Sequence, residues 1–198
     1  GLSRRMGQPK LLLRVGGTTI IDRMLSTLHH PGIAATVVVV RADDEPLRIA
    51  VQTAGGTVIQ PLPAPPDMRT SVEFALAHIR EQFHPNPDDV WILVPADHPL
   101  LDSSIVTALI SGWNLRQPHI LVPTHAGRRG HPTLFRWELA DEVPRLPLHV
   151  GLNHLVKLHS ADVTELAVDS PGILLDLDTP ADYAALVGQV ENSHPRGA

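Results

Sequence analysis

Two runs constrain the fold of this chain more than any other feature. Val37-Val38-Val39-Val40 and Trp91-Ile92-Leu93-Val94 are apolar at every position rather than at alternate ones. A strand with one wet face alternates; a continuous apolar run is what a strand covered on both faces shows, and it is typical of parallel strands between layers of helices. Shorter apolar runs place strands at 36–40, 57–60, 90–94, 120–123, 133–135, 163–168 and 173–175. Between them apolar residues recur at helical spacing, with Ile20, Met24, Leu25 and Leu28 in 19–28 and Val72, Ala75, Leu76 and Ile79 in 71–83. Residues 103–113 and 181–190 are patterned alike. This βα rhythm predicts an α/β fold with helices on both faces of the sheet, the two continuous runs being central strands. The stretch Pro61-Leu62-Pro63-Ala64-Pro65-Pro66 is too proline-rich for a ladder and reads as a stiff surface loop, and 84–89 is another loop.

The 198 residues fit a single domain, taken as 1–191, with 192–198 read as a disordered tail. A formal charge of −5 speaks against general nucleic-acid binding, which favours strongly basic surfaces, but leaves room for a small anion on a local basic patch. The absence of cysteine excludes disulfides and thiolate metal sites. No apolar run approaches the about eighteen residues of a membrane span, and no signal-peptide pattern is visible, so the expectation is a soluble cytoplasmic protein without a membrane partner. The twelve histidines are scattered and show no H-E-x-x-H spacing, which argues against a histidine-held metal.

Four segments carry chemistry-bearing residues. The first is Gly1-Leu2-Ser3-Arg4-Arg5-Met6-Gly7-Gln8-Pro9-Lys10, where two glycines permit close backbone approach and Arg5 and Lys10 offer cationic donors for phosphate oxygens. It is neither a Walker A loop nor G-x-G-x-x-G. It reads either as a polyphosphate cradle or as a solvated terminal arm. The second is Pro95-Ala96-Asp97-His98-Pro99, which puts Asp97 just beyond a strand, where open α/β sheets bind ligands, although a turn aspartate has the same pattern. Asp102 reads as the N-cap of the next helix. The third is Asp176-Leu177-Asp178-Thr179-Pro180-Ala181-Asp182, in which capping accounts for Thr179, Pro180 and Asp182 but not for Asp176 and Asp178. The fourth is Gly127-Arg128-Arg129-Gly130-His131-Pro132, either a basic hairpin turn or an anion contact. Between loop and helix, Ser71 has the look of a helix cap, with Asp67 close by.

Taken in order, these segments resemble the MobA-like nucleotidyltransferases. The opening loop is similar to the family signature L-A-A-G-x-S-x-R-M-G-x-x-K-L-L through Gly1, Ser3, Arg5, Met6, Gly7, Pro9, Lys10, Leu11 and Leu12. The family sets a short strand ending in L-A-A before the glycine at which this sequence begins, so that strand is expected either upstream of residue 1 or not at all. Asp97-His98-Pro99 matches a D-x-P, 176–182 matches D-x-D-T-P-x-D, and Gly130-His131-Pro132 resembles an element of the molybdenum-cofactor cytidylyltransferase branch.

The resemblance implies a three-layer α/β/α, Rossmann-like sandwich with a mostly parallel, mixed sheet of the nucleotide-diphospho-sugar transferase type. It implies an enzyme that transfers NMP from an NTP, CTP favoured and GTP possible, to a phosphorylated acceptor such as a molybdopterin-type cofactor, with Mg²⁺-dependent release of pyrophosphate. In that reading Arg5, Lys10 and Asp97 are catalytic; Gly1, Leu2, Ser3, Arg5, Lys10, Asp67 and Ser71 contact the nucleotide; Asp97 and Asp178 hold Mg²⁺; and Arg128, Arg129 and His131 face the acceptor. The branch's G-D-x-G-A-R element is replaced by Leu146-Pro147-Leu148-His149-Val150-Gly151, which keeps a sugar phosphate or another small alcohol phosphate open as acceptor. A non-catalytic nucleotide-binding protein is the reading from a different class.

Overall fold

The computed structural model describes residues 9–193. A 3-10 turn at Lys10–Leu12 leads into a small antiparallel hairpin of β1 (Arg14–Val15) and β2 (Thr18–Thr19), whose turn residues Gly16 and Gly17 both have positive φ. The chain continues through α1 (Ile20–Leu28), β3 (Val37–Val39), α2 (Glu45–Thr53), β4 (Thr57–Ile59), α3 (Met68–Phe83), β5 (Val90–Leu93) and α4 (Ser103–Arg116). It then forms β6 (Ile120–His125), β7 (Arg128–Arg129), β8 (Thr133–Arg136), α5 (Asn153–Leu158), β9 (Val163–Ala167) and α6 (Pro180–Ser193). Helix starts follow capping chemistry. Thr19 and Asp22 form a reciprocal capping box on α1, and Asp44, Asp67 and Asp102 accept backbone N–H groups at the starts of α2, α3 and α4.

The sheet is mixed. β8 lies between β5 and β6 and runs antiparallel to both, β9 runs parallel to β6, and β7 folds back on β6 as a hairpin. Among the described residues β3 pairs only with β4, in parallel, with Val37 opposite Thr57. Successive side chains of a strand point to opposite faces, and here each face is filled. Leu121 and Leu134 join α1, α4 and α6 residues such as Met24, Leu109 and Leu186 in one core, while Ile120, Val122 and Phe135 join Leu76, Trp137 and Leu155 in the other. The result is the three-layer α/β/α arrangement. On the second face Trp91 stacks on Phe135 with ring centroids 4.3 Å apart.

Three local expectations need correction. Residues 90–94 are covered on both faces, with Trp91 and Leu93 on one side and Ile92 and Val94 on the other, yet their pairing with β8 is antiparallel. Burial on two faces, not strand direction, is what the apolar run encodes. Residues 173–175 form no strand; Pro171–Leu174 is a 3-10 turn capped by Ser170, and the apolar character of Ile173 reflects its complete burial as a plug in the first core. Finally, α3 begins at Met68, so its N-cap is Asp67, which accepts from the Thr70 N–H at 2.7 Å; Ser71 sits inside the first turn and donates to the Asp67 carbonyl at 2.9 Å. α6 extends through Ser193, and no helix among the described residues is long and apolar enough to cross a membrane.

Candidate functional site

Asp97 follows β5 by a short turn, at the carboxyl end of the strand. The Leu177 N–H donates to the Asp97 carbonyl at 2.8 Å, which lays the segment before α6 alongside this turn. Lys10 completes the junction. Its ammonium donates to Asp97 Oδ2 at 2.8 Å, to the Leu177 carbonyl at 3.0 Å and to Asp178 Oδ1 at 3.4 Å. Side-chain exposure is 17% for Lys10, 30% for Asp97 and 45% for Asp178, so the cluster is partly shielded and opens to solvent on the Asp178 side. Burial is the largest single influence on Asp97 and pushes its carboxyl up, but the Lys10 hydrogen bond and charge together outweigh it and hold the group below the ordinary aspartate value.

Asp178 is set in place by the start of α6. The N–H groups of Asp178 and Thr179 and the Thr179 hydroxyl all donate to Asp182 Oδ2, and Thr179 Oγ1 accepts in turn from the Asp182 N–H. Asp182 is thereby committed to the cap, while the Asp178 carboxylate faces Lys10.

Next to Asp97, His98 meets His131 edge to face, with ring centroids 5.1 Å apart and planes at 72°. His98 is buried, and on each ring Nδ1 is buried without a hydrogen-bond partner among the described residues. Burial holds both imidazoles below the ordinary histidine value; His98 adds to that effect on His131, and the Asp97 charge opposes it on both. His131 is fixed through its backbone, which donates to the Ile173 carbonyl at 2.9 Å. That approach needs the preceding glycine, because a Cβ on Gly130 would collide with the same carbonyl oxygen. Gly172 is wedged likewise against the Leu100 carbonyl, so the turn after β5, the segment leading into β8 and the segment before α6 interlock by backbone contact.

The other expected positions are distributed differently. Gly1, Leu2, Ser3 and Arg5 lie outside the described residues. Asp67 and Ser71 are engaged at the start of α3. Arg128 and Arg129 are exposed on β7, after a turn in which Ala126 and Gly127 both have positive φ, and Arg129 pairs with Glu165 at 2.7 Å; no hydrogen bond or ion pair among the described residues joins either arginine to the Lys10 cluster. Two further polar residues are buried in the fold. His98 has no role in the sequence reading, and the fold buries it directly after Asp97 and against His131. Arg69 is buried, and its Nη1 donates to the carbonyls of Leu146 at 3.0 Å and Pro147 at 2.7 Å while the guanidinium pairs with Glu73 at 3.1 Å. The signal for Arg69 was its spacing, since it lies on the same helical stripe as Val72 and Leu76.

The donor set suits a hard divalent cation. Two carboxylates and a backbone carbonyl already converge on one positive charge, and Mg²⁺ or Mn²⁺ takes oxygen ligands of this kind. Among the described residues no group of three His, Cys, Asp or Glu side chains forms a closed metal cage. An open site of that kind leaves positions for water and for ligand oxygens.

Comparison with known proteins agrees with this architecture. The chain is 26% identical over 184 residues to the molybdenum cofactor cytidylyltransferase of Escherichia coli K12, covering 92% of this chain and 89% of that protein. It is 31% identical over 145 residues to the molybdenum cofactor guanylyltransferase of Rhizobium meliloti, covering 71% and 61%. The crystal structure of Rv0371C from Mycobacterium tuberculosis H37Rv in complex with manganese superposes with a TM-score of 0.70 at 27% identity, covering 92% of this chain and 94% of that one. The family description "MobA-like NTP transferase domain" matches residues 1–164, a span that includes Lys10, Asp97 and His131 and stops short of Asp178. This chain belongs to the MobA-like NTP transferase domain family and is a nucleotidyltransferase by descent and fold.

Proposed function

We propose that the protein transfers NMP from an NTP, with CTP preferred, to a phosphorylated small-molecule acceptor, releasing pyrophosphate in a divalent-metal-dependent reaction. The observation that carries this reading is the convergence of Lys10, Asp97 and Asp178 at the strand ends. A protein that only bound nucleotide would have little use for two carboxylates beside the cation that meets the phosphates.

Asp97 and Asp178 would hold the metal, which when bound supplies positive charge at the phosphate oxygens. Lys10 offsets charge on the departing pyrophosphate. Its neighbours Gly1, Leu2, Ser3 and Arg5 would wrap the triphosphate from the same end of the chain. The reaction is a direct displacement: an acceptor oxygen attacks the α-phosphorus, the bond from that phosphorus to the oxygen bridging to the β-phosphate breaks, and pyrophosphate leaves. No side chain needs to form a covalent adduct. Asp97, held in its charged form beside Lys10, keeps the negative charge that a metal ligand would need.

For the acceptor side, the packing of His131 against buried His98 beside Asp97 favours a ligand contact at His131 over one at Arg128 or Arg129, which are exposed on β7, Arg129 being paired with Glu165. The similarity to molybdenum cofactor transferases supports a molybdopterin-type acceptor and, between the two bases, CTP. The test is a pyrophosphate-release assay over the four NTPs with Mg²⁺, against a molybdopterin-type acceptor and a panel of sugar and alcohol phosphates. CTP with the molybdopterin-type acceptor should turn over fastest. Nucleotide binding without turnover on any acceptor would discard the enzyme reading.

A further inference from the structure

Lys10 stands where a cation belongs. An ammonium has three N–H donors and no acceptor, and among the described residues this one donates to Asp97 Oδ2, the Leu177 carbonyl and Asp178 Oδ1. Two carboxylates drawn this close repel one another unless a positive charge lies between them. The position of the lysine backbone is fixed: Leu12 and Leu13 donate back to Pro9 and Lys10, and Leu11 is packed against two separate cores. The side chain, by contrast, is a four-carbon stem that can redirect its charge without moving the backbone.

The same ammonium cannot neutralise both carboxylates and also meet a triphosphate while a divalent ion occupies the carboxylates. Resting on the nucleotidyltransferase reading of this site, we propose that Lys10 is a resident counter-ion shared by Asp97 and Asp178, and that a nucleotide's phosphates draw it away as a divalent cation takes its place. Metal and nucleotide then bind interdependently. Without nucleotide the lysine competes with the metal; with nucleotide it becomes a phosphate ligand and the competition ends. By linkage, metal must raise nucleotide affinity by the same factor that nucleotide raises metal affinity. The site therefore stays closed to free divalent ions until there is a substrate to use them.

The experiment is Mn²⁺ binding to the nucleotide-free protein, read by the loss of the free-ion electron paramagnetic resonance signal and by calorimetry. Lys10→Met keeps the stem and removes the charge, and it should bind Mn²⁺ at least about tenfold more tightly than wild type, the scale expected when a cation beside a metal site is removed. Lys10→Gln should behave the same way, which preserves the test if one variant fails to fold, and Lys10→Arg, which keeps the charge, should stay near wild type. Asp97→Asn should lose the binding that Lys10→Met gains. Equal or weaker Mn²⁺ affinity in both neutral variants overturns the proposal, and if pyrophosphate release is metal-dependent in that case, the enzyme reading survives it. Absence of Mn²⁺ binding in every variant overturns the metal assignment itself and this proposal with it.

Discussion

At Asp97 two opposed influences meet: burial, which favours the neutral acid, and the Lys10 ammonium 2.8 Å away, which favours the carboxylate and prevails. Its depressed folded-state value means that Asp97 adds stability above the ordinary aspartate range and loses it as pH falls through the folded value. Near neutrality the carboxylate is charged, as the proposed metal role requires. Asp97→Asn should therefore lower pyrophosphate release by roughly two orders of magnitude or more, on the scale of other losses of transition-state charge stabilisation. Its melting temperature should change little, because a partly exposed ion pair contributes about 1 kcal/mol or less. Near wild-type turnover in that variant would remove Asp97 from the metal site. His98 and His131 make the complementary case. Burial depresses both, so the folded state binds fewer protons than the unfolded one just below the ordinary histidine value. Stability should be fully present above about pH 6.5, the unperturbed histidine value, and decline as pH falls from there toward the folded values. Urea unfolding in EDTA from pH 7.5 to 5 should show this slope in wild type and a shallower one in His131→Phe; equal slopes would mean that the imidazole is solvated.

Arg69 joins one element to another. Its guanidinium, on the first turn of α3, satisfies the carbonyls of Leu146 and Pro147 and so ties that helix to the irregular 146–150 segment. Arg69→Met takes this donor from the Leu146 carbonyl, while Pro147 still accepts from the Val150 N–H at 3.1 Å, and the protein should lose about 1–3 kcal/mol, the cost of an unsatisfied buried polar group. Hydrogen exchange across 146–150 should accelerate more than exchange in β6. A uniform acceleration would show that Arg69 contributes only general packing. This contact also marks the limit of what the sequence reveals. α1, α3 and α4 were legible because their apolar residues recur at helical spacing, and β6, β8 and β9 because their runs are short and apolar. α5 and the β1–β2 hairpin were not, since six residues of helix and two-residue strands carry too little periodicity. The direction of β5 was illegible for a different reason: composition reports how many faces are covered, whereas the neighbour's direction is set by a connection elsewhere in the chain.

Across the whole molecule, the candidate site is assembled from residues 87 and 168 positions apart, which no local pattern can reveal. Asp97 stood out by its place just beyond a strand, and Asp178 because capping explained its neighbours and left it over; their meeting at Lys10 required the folded chain. Ligand binding at a site that spans the chain should stabilise the entire fold. CTP with Mg²⁺ at 100 times its dissociation constant should add about 2.7 kcal/mol, seen as a melting temperature several degrees higher, and Lys10→Met should abolish most of that rise. An equal rise in the variant would place the nucleotide elsewhere. One further consequence comes from α1, whose Ile20, Met24 and Leu28 enter one core while Ile21 and Leu25 enter another together with Val40 and Val51. A helix buried in two cores cannot detach from one and remain seated in the other, so the two must melt together. Amide protons in the middle of α1 should then exchange only through global unfolding, with the same denaturant dependence as the whole protein. Because Leu11 enters both of these cores as well, the backbone that carries Lys10 would be among the last parts of the molecule to loosen.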